Sequence, residues 1–497
     1  MGLKVDSSFL RFLTMGALGT RRVHELMRRA GLQPIELERY SRSNKIWSTK
    51  VKRLRLPDLL CVKTGLRVEV RAKSNLAIKM SDAETNPARR WNSGLAPTDL
   101  IAFVLVREGD IGRLLAADNA EFFWVKDLVA TEAQSRLGPP KSAGEGAERD
   151  REWPSIVPKA NGVVQAIANE RIATLLQGGR RQSYALNGKN SYFAATEPFL
   201  ADSQFLAGVP PHKALLPNPA TIKWDPRALL QSFSPIDRYV AIKALGVVGT
   251  EPDIALVAKI AEGDPEGRVA LEAAVALARL GDERGLVLIQ STINQPKIDF
   301  LRMEAVLALS EFRNHALAPR CAAMLVECAR NESLVGDEVR QAAIWGLGKD
   351  GLRTYQALLS FIDAPDINER VHAINAFGSD CSADVTKMLA SILVDTAASA
   401  QRRSSASFIL GSAIPPEIVA PWLVSLSAHS DKSGRNWVLA TLGQMNPTAL
   451  RPYIINSALV EQLEPLQLFS PQTNWTRSDT NIDLLAFVRK QTVDLDD

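Results

Sequence analysis

At 497 residues the chain exceeds the roughly 100–200 residues of one ordinary domain, so several domains are expected. Hydrophobic residues at 46% and charged residues at 23% give a globular balance that excludes wholesale disorder. No apolar run reaches the length of about 18 residues needed to cross a membrane, and the apolar start near Phe9–Leu18 is cut by Arg11, so a cytoplasmic protein is expected.

The net charge of +4 hides an asymmetry: residues 1–113 hold 22 Lys and Arg against 11 Asp and Glu, a net of +11, so the remaining 384 residues sum to −7. Only the first part has the balance of a polyanion-binding surface.

In chain order, Thr20 caps a helix whose Val23, Leu26, Met27 and Ala30 keep helical spacing until Gly31. Residues 35–39 alternate as a half-buried strand does. Pro57–Val62 and Leu66–Arg71 flank the short connection Lys63-Thr64-Gly65 and read as a hairpin. A second helix is expected over residues 86–93, and Leu100–Val106 is a continuous apolar run of buried-strand type. The expected order is αβββαβ.

The hairpin carries the most specific chemical signal. Phosphodiester hydrolysis needs an activated water and neutralised phosphoryl oxygens, which a magnesium ion can supply. Magnesium prefers oxygen ligands, and two carboxylates on adjacent strands make an open site for it. Asp58 and Glu69 meet that demand across the turn. By the two-residue period, Glu69, Arg71 and Lys73 share one strand face. A cation there orients the water or stabilises the transition state.

These residues resemble the PD-(D/E)XK nuclease superfamily, over about residues 8–108. Pro57-Asp58 matches the first half of its motif. Glu69-Val70-Arg71 matches the second, with arginine where lysine is expected. Arginine cannot give up its proton, so Arg71 acts electrostatically, or Lys73 reaches in from one strand repeat further on, or hydrolysis has been lost. The resemblance implies a restriction-endonuclease-like domain over residues 1–135, a Mg2+ or Mn2+ ion held by Asp58 and Glu69, and a further glutamate from the preceding helix, for which Glu25 is the candidate. Lys45, Lys50, Lys52, Arg53 and Arg55 before the hairpin, and Lys79, Arg89 and Arg90 after it, suit a nucleic-acid backbone, expected to be DNA. Trp47 and Trp91 are candidates for stacking on bases. His24 is expected to be structural.

A Gly, Pro, Ser and charge-rich stretch between Gly138 and Gly146 is expected to be a flexible domain boundary. A small β-rich module is expected over residues 150–220, with a hairpin at Asn187-Gly188. From about residue 226, arginines at 238, 268, 302, 340, 370, 403 and 435 open segments such as Arg340-Gln-Ala-Ala-Ile-Trp-Gly-Leu-Gly348. Spacings of 30–38 residues are a solenoid signature. The pattern resembles HEAT repeats, including the phycobilin-lyase-like subgroup, over residues 226–455, with an extension over 456–497. The arginines are expected to bond neighbouring acidic residues or loop carbonyls, with Asp237 and Asp337 as candidate partners. Cys61, Cys321, Cys328 and Cys381 lack CxxC spacing, so neither zinc nor a disulfide framework is expected.

The expected fold is therefore a multidomain α/β plus all-α chain. The expected function is a Mg-dependent DNA endonuclease whose solenoid binds substrate or a protein partner, a pairing that suits bacterial defence. The alternative is a non-catalytic nucleic-acid-binding or protein-assembly scaffold with an inactive nuclease fold, for which arginine at position 71 is the best support. A third reading, towards lyase-like or alkyl-base glycosylase solenoids, rests on Trp345, Trp422 and Trp437. Oligomeric state is open.

Overall fold

The computed structural model describes residues 7–37, 54–108 except 76, 114–153 except 142–147, the strands between 160 and 207, 211–455 except 212, 296–298 and 379, and residues 459 and 463. The chain divides into two compact units with the break between Leu288 and Ile289.

The first unit begins with helix α1 (Ser7–Arg29), which ends at Gly31 in the left-handed region (φ 81°), as a helix C-terminus favours. Strands β1 (Pro34–Glu36), β2 (Leu59–Cys61) and β3 (Arg67–Lys73) follow, then β4 (Lys79–Asp82), β5 (Leu100–Glu108) and β6 (Leu114–Trp124). The main sheet has the order β1-β2-β3-β5-β6. β1, β2 and β3 pair antiparallel, whereas β3 and β5 are parallel. The expected hairpin is present. Its turn requires Gly65 (φ 69°), where a Cβ would lie 2.6 Å from the Trp224 ring.

Period-two alternation assigns the two faces of β3. Val68, Val70 and Ala72 join Ala102, Val104 and the α1 residues Met15, Val23 and Met27 in one apolar cluster. The approach is close: a Cβ on Gly19 would sit 3.1 Å from that of Ala72. Each fully buried side chain of this size contributes on the order of 1.5–3 kcal/mol. The opposite face carries Ile101 and Phe103, which pack with Ile78, Met80, Trp91, Phe123 and Trp153.

That second cluster depends on a sheet absent from the expected order. After β6 come a short helix α2 (Val125–Ala130) and strands β7 (Arg136–Pro140) and β8 (Arg149–Glu152); β8 pairs with both β4 and β7. The stretch expected to be a flexible boundary therefore joins two paired strands. The first domain extends at least to Trp153, whose ring meets Trp91 edge-on at 5.1 Å. The helix expected over residues 86–93 is a single 3-10 turn, Pro87–Arg89, with no buried residue. Asn86 caps it and Pro87 opens it, but no apolar face exists to extend it, and Arg90 is already extended (φ −60°, ψ 148°).

Strands β9 (Ala160–Ala168), β10 (Arg171–Leu176), β11 (Arg181–Ala185) and β12 (Gln204–Ala207) form an antiparallel sheet of order β11-β10-β9-β12, within the span where a β-rich module is expected. The hairpin expected at Asn187-Gly188 lies outside the described residues, as does the tail beyond residue 463.

Helices α3 (Pro235–Val248), α4 (Ile254–Gly263) and α5 (Gly267–Arg279) complete the first unit's core. Tyr239, Val240 and Ala244 of α3 pack with Ile35, Leu37, Leu60 and Val62 of the main sheet. Small residues stand where helices approach: a Cβ on Gly246 would lie 3.2 Å from that of Ala276. The second unit continues with helices such as Asp299–Leu309, Glu338–Leu347, Ile367–Ile374, Ala400–Phe408 and Lys432–Leu442. There Gly346 plays the same part, facing Ser310.

All seven recurrent arginines fall in the first turn or so of a helix. Several reach back to carbonyls at the end of the previous helix or in the loop after it. Arg302 donates to Ile293 O at 3.0 Å, Arg340 to Asn331 O at 3.2 Å, Arg370 to Ala364 O at 2.6 Å, Arg403 to Asp395 O at 2.9 Å and Arg435 to Ser427 O at 3.2 Å. The acidic partners differ from those expected. Arg238 pairs with Asp264 and Arg340 with Glu369, while Asp337 caps its own helix and Asp237 faces Arg67.

Candidate functional site

Asp58 sits immediately before β2. Leu59 is opposite Val68, so one step further along the ladder Asp58 stands opposite Glu69, on the same face. Its Oδ2 accepts the Val70 backbone N–H at 2.8 Å. That bond fixes the carboxylate beside β3, and among the described residues Asp58 forms no ion pair.

Glu69, Arg71 and Lys73 share the face of Ile101 and Phe103, their partners being Ile101, Phe103 and Leu105 of β5. Arg71 Nη2 lies 2.9 Å from Glu69 Oε1, with the glutamate side chain 14% exposed and the arginine 40%. Arg71 Nε is buried without a hydrogen-bond partner. Lys73 has its pKa lowered to about 8, first by burial and then by the neighbouring Arg71 charge. The start of β3 is anchored by Arg67, whose Nε donates to Asp99 Oδ1 at 2.7 Å, with Asp237 of α3 at 3.5 Å. Burial raises the Asp99 pKa despite the opposing Arg67 charge.

Other candidates are placed differently. Glu25 lies on α1, against the opposite face of β3, and its carboxylate meets Arg22 at 3.0 Å and Arg21 at 3.6 Å. Those ion pairs hold it on the helix surface, so it is not brought to Asp58 and Glu69. Lys45, Lys50, Lys52, Arg53 and Trp47 lie outside the described residues, while Arg55 is exposed. Lys79 pairs with Asp150 at 3.1 Å, Arg89 with Glu148 at 3.7 Å, and Arg90 with Asp82 at 3.4 Å and with Glu132. These three cations are thus partly neutralised within the protein. Trp91 is 3% exposed and belongs to the core, which removes it as a stacking platform. His24 Nε2 faces Pro34 O at 3.2 Å, a structural contact as expected.

Sequence reasoning missed Lys141, Asp150 and the sheet that carries them opposite the Glu69 face. The signal was the strand-like segment Arg149-Asp150-Arg151-Glu152, whose pairing partner is about seventy residues away. All four cysteines are buried and free. Among the described residues no group of three or more His, Cys, Asp or Glu could hold a metal ion, and no helix is long and apolar enough to cross a membrane.

Residues 227–310 and 254–348 match the family model for HEAT repeats. The C-terminal part therefore carries HEAT repeats, within the span expected from the arginine spacing. No curated protein matches the chain. Among solved structures, YibA of Escherichia coli is similar at 13% identity, over 54% of this chain and 90% of its own, with a TM-score of 0.28. The CpcE–CpcF complex of phycocyanin lyase from Nostoc sp. PCC7120 is similar at 17% identity, over 48% and 91%, with a TM-score of 0.25. An engineered protein is similar at 14% identity, over 54% and 96%, with a TM-score of 0.16.

Proposed function

We propose that the N-terminal domain is a metal-dependent nuclease acting on DNA, and that the HEAT repeats bind a protein partner or the substrate. The observation that carries this reading is the Asp58 carboxylate held on the Val70 amide, beside Glu69 and on the same face as Arg71 and Lys73. The pairing of β3 antiparallel with β2 and parallel with β5 sets the two carboxylates side by side and supports this reading, although the expected helix between β3 and β5 is only a 3-10 turn. The HEAT repeats support an interaction or scaffold role, since stacked helix pairs offer extended surfaces.

The donor set fits a hard cation. Two carboxylates supply oxygen ligands and leave the remaining positions to water and phosphate, the habit of magnesium rather than of zinc. Such an ion, held by Asp58 and Glu69, would neutralise phosphoryl charge and make water a better nucleophile. The chain's own residues do the rest. Arg71, with its side chain 40% exposed, offers its guanidinium charge to a non-bridging phosphate oxygen, and its pairing with Glu69 keeps the guanidinium in place. Lys73, with a pKa of about 8, is in part neutral near neutral pH and accepts the proton of the attacking water, which Arg71 cannot do.

The Glu69–Arg71 ion pair favours a second reading, in which arginine has replaced the metal and the fold is a non-hydrolytic binding module. Plasmid relaxation decides between them. In a magnesium titration the parent protein should nick supercoiled DNA, and Asp58→Ala and Glu69→Ala should each lose at least about a hundredfold in rate. If parent and variants behave alike, or DNA binding is indifferent to EDTA with no product, the hydrolytic reading fails.

A further inference from the structure

The sheet β4-β8-β7 borders a cavity of about 650 Å³ that the hydrolytic chemistry does not use. That volume lies in the range of small-ligand sites. Lys79 of β4, Arg136 of β7, Lys141 just beyond it, and Asp150 and Glu152 of β8 line this space. One carboxylate serves two lysines: Asp150 lies 3.1 Å from Lys79 Nζ and 2.8 Å from Lys141 Nζ. Burial pushes its pKa up, but hydrogen bonds from Lys141 and Lys79 prevail and hold it below the usual range. Lys73 feels these same three charges, so the β3 row and the cavity share one electrostatic neighbourhood in which cations outnumber carboxylates. Leu137 and Pro139 add apolar wall.

We propose that this cavity binds a nucleoside phosphate, with Lys79, Arg136 and Lys141 on the phosphate and the base against Leu137 and Pro139. A phosphate dianion offers several strong acceptors to Arg136 and to the two lysines that share the Asp150 carboxylate. The apolar wall suits the flat face of a base better than it suits inorganic phosphate. The inference rests on the hydrolase reading in one respect: the ligand is then a nucleotide of the strand being cut, flanking the reacting phosphate. A free nucleotide has the same chemistry.

Calorimetric titration of the full chain in EDTA tests it, using deoxyadenosine monophosphate, a 5′-phosphorylated octanucleotide, inorganic phosphate and deoxyadenosine. The nucleotide and the octanucleotide should bind saturably, phosphate more weakly, and deoxyadenosine not at all. Lys141→Ala and Arg136→Ala should each weaken binding about tenfold, and Asp150→Asn should tighten it by releasing two lysines. Arg136 is exposed on β7, so its variant keeps the test sound if another unfolds. Tighter binding of the octanucleotide identifies a strand as the source, and tighter binding of the mononucleotide identifies a free ligand. No saturable binding, unchanged affinity in both alanine variants, or weaker binding by Asp150→Asn would overturn the proposal. Because EDTA is present throughout, failed plasmid cleavage leaves this result untouched, and cleavage without nucleotide binding sinks the cavity alone.

Discussion

On the proposed hydrolytic reading, Lys73 is the residue on which proton transfer would turn. Its pKa lies near 8 because burial penalises the ammonium form and Arg71 repels it. The neutral amine is the active form of a base, and its fraction grows about tenfold per pH unit until the pKa is passed. Cleavage by the parent protein should therefore rise with pH from about 6 and level off above about 8. Lys73→Arg, a permanent cation, should lower the rate by about 100-fold, the scale of general-base catalysis. Single-turnover rates across pH check this; a parent profile flat from 6 to 9 would remove Lys73 as the base. The shared face of Asp58, Glu69 and Arg71 was legible in the sequence because a two-residue period and one short turn decide it. The fate of Lys79, Arg89 and Arg90 was not, since Asp150, Glu148, Asp82 and Glu132 neutralise them through contacts that sequence spacing does not encode.

Among the elements, the β2–β3 hairpin and the HEAT helices are held by different devices. The hairpin depends on Gly65, whose positive φ and contact with Trp224 leave no room for a side chain. Gly65→Ala should destabilise the protein by about 1–3 kcal/mol. The HEAT helices rely on arginines that satisfy carbonyls of the preceding turn. Arg403 donates to Asp395 O and Ser433 Oγ, and Arg403→Met should cost about 1–3 kcal/mol by removing the bonds that tie its helix to the preceding loop. Denaturant midpoints for both variants are the check, and unchanged midpoints would contradict these roles. Elements with local determinants were legible: the second half of α1 from its periodicity, β5 from its apolar run, the helices after residue 235 from their repeat; Thr20, expected to cap α1, lies buried inside a helix that begins at Ser7. The β4-β8-β7 sheet escaped notice because β4 is short and its partner β8 follows after β5, β6 and β7. The Gly- and Pro-rich stretch beside it carries the composition of a linker while serving to join strands.

At the scale of the whole molecule, the first 113 residues are net basic at +11 and the remaining 384 net acidic at −7. The HEAT repeats have their recurrent arginines bonded to carbonyls and carboxylates of their own segment. That bonding leaves partner recognition to the shape and other side chains of the repeats. The central claim is that Asp58 and Glu69 jointly hold one divalent ion. Manganese binding to the full chain, followed by electron paramagnetic resonance, tests it directly. One ion per chain should bind to the parent protein, and Asp58→Ala or Glu69→Ala should lose it while remaining folded. Equal binding by parent and variants, or none by the parent, would contradict the account.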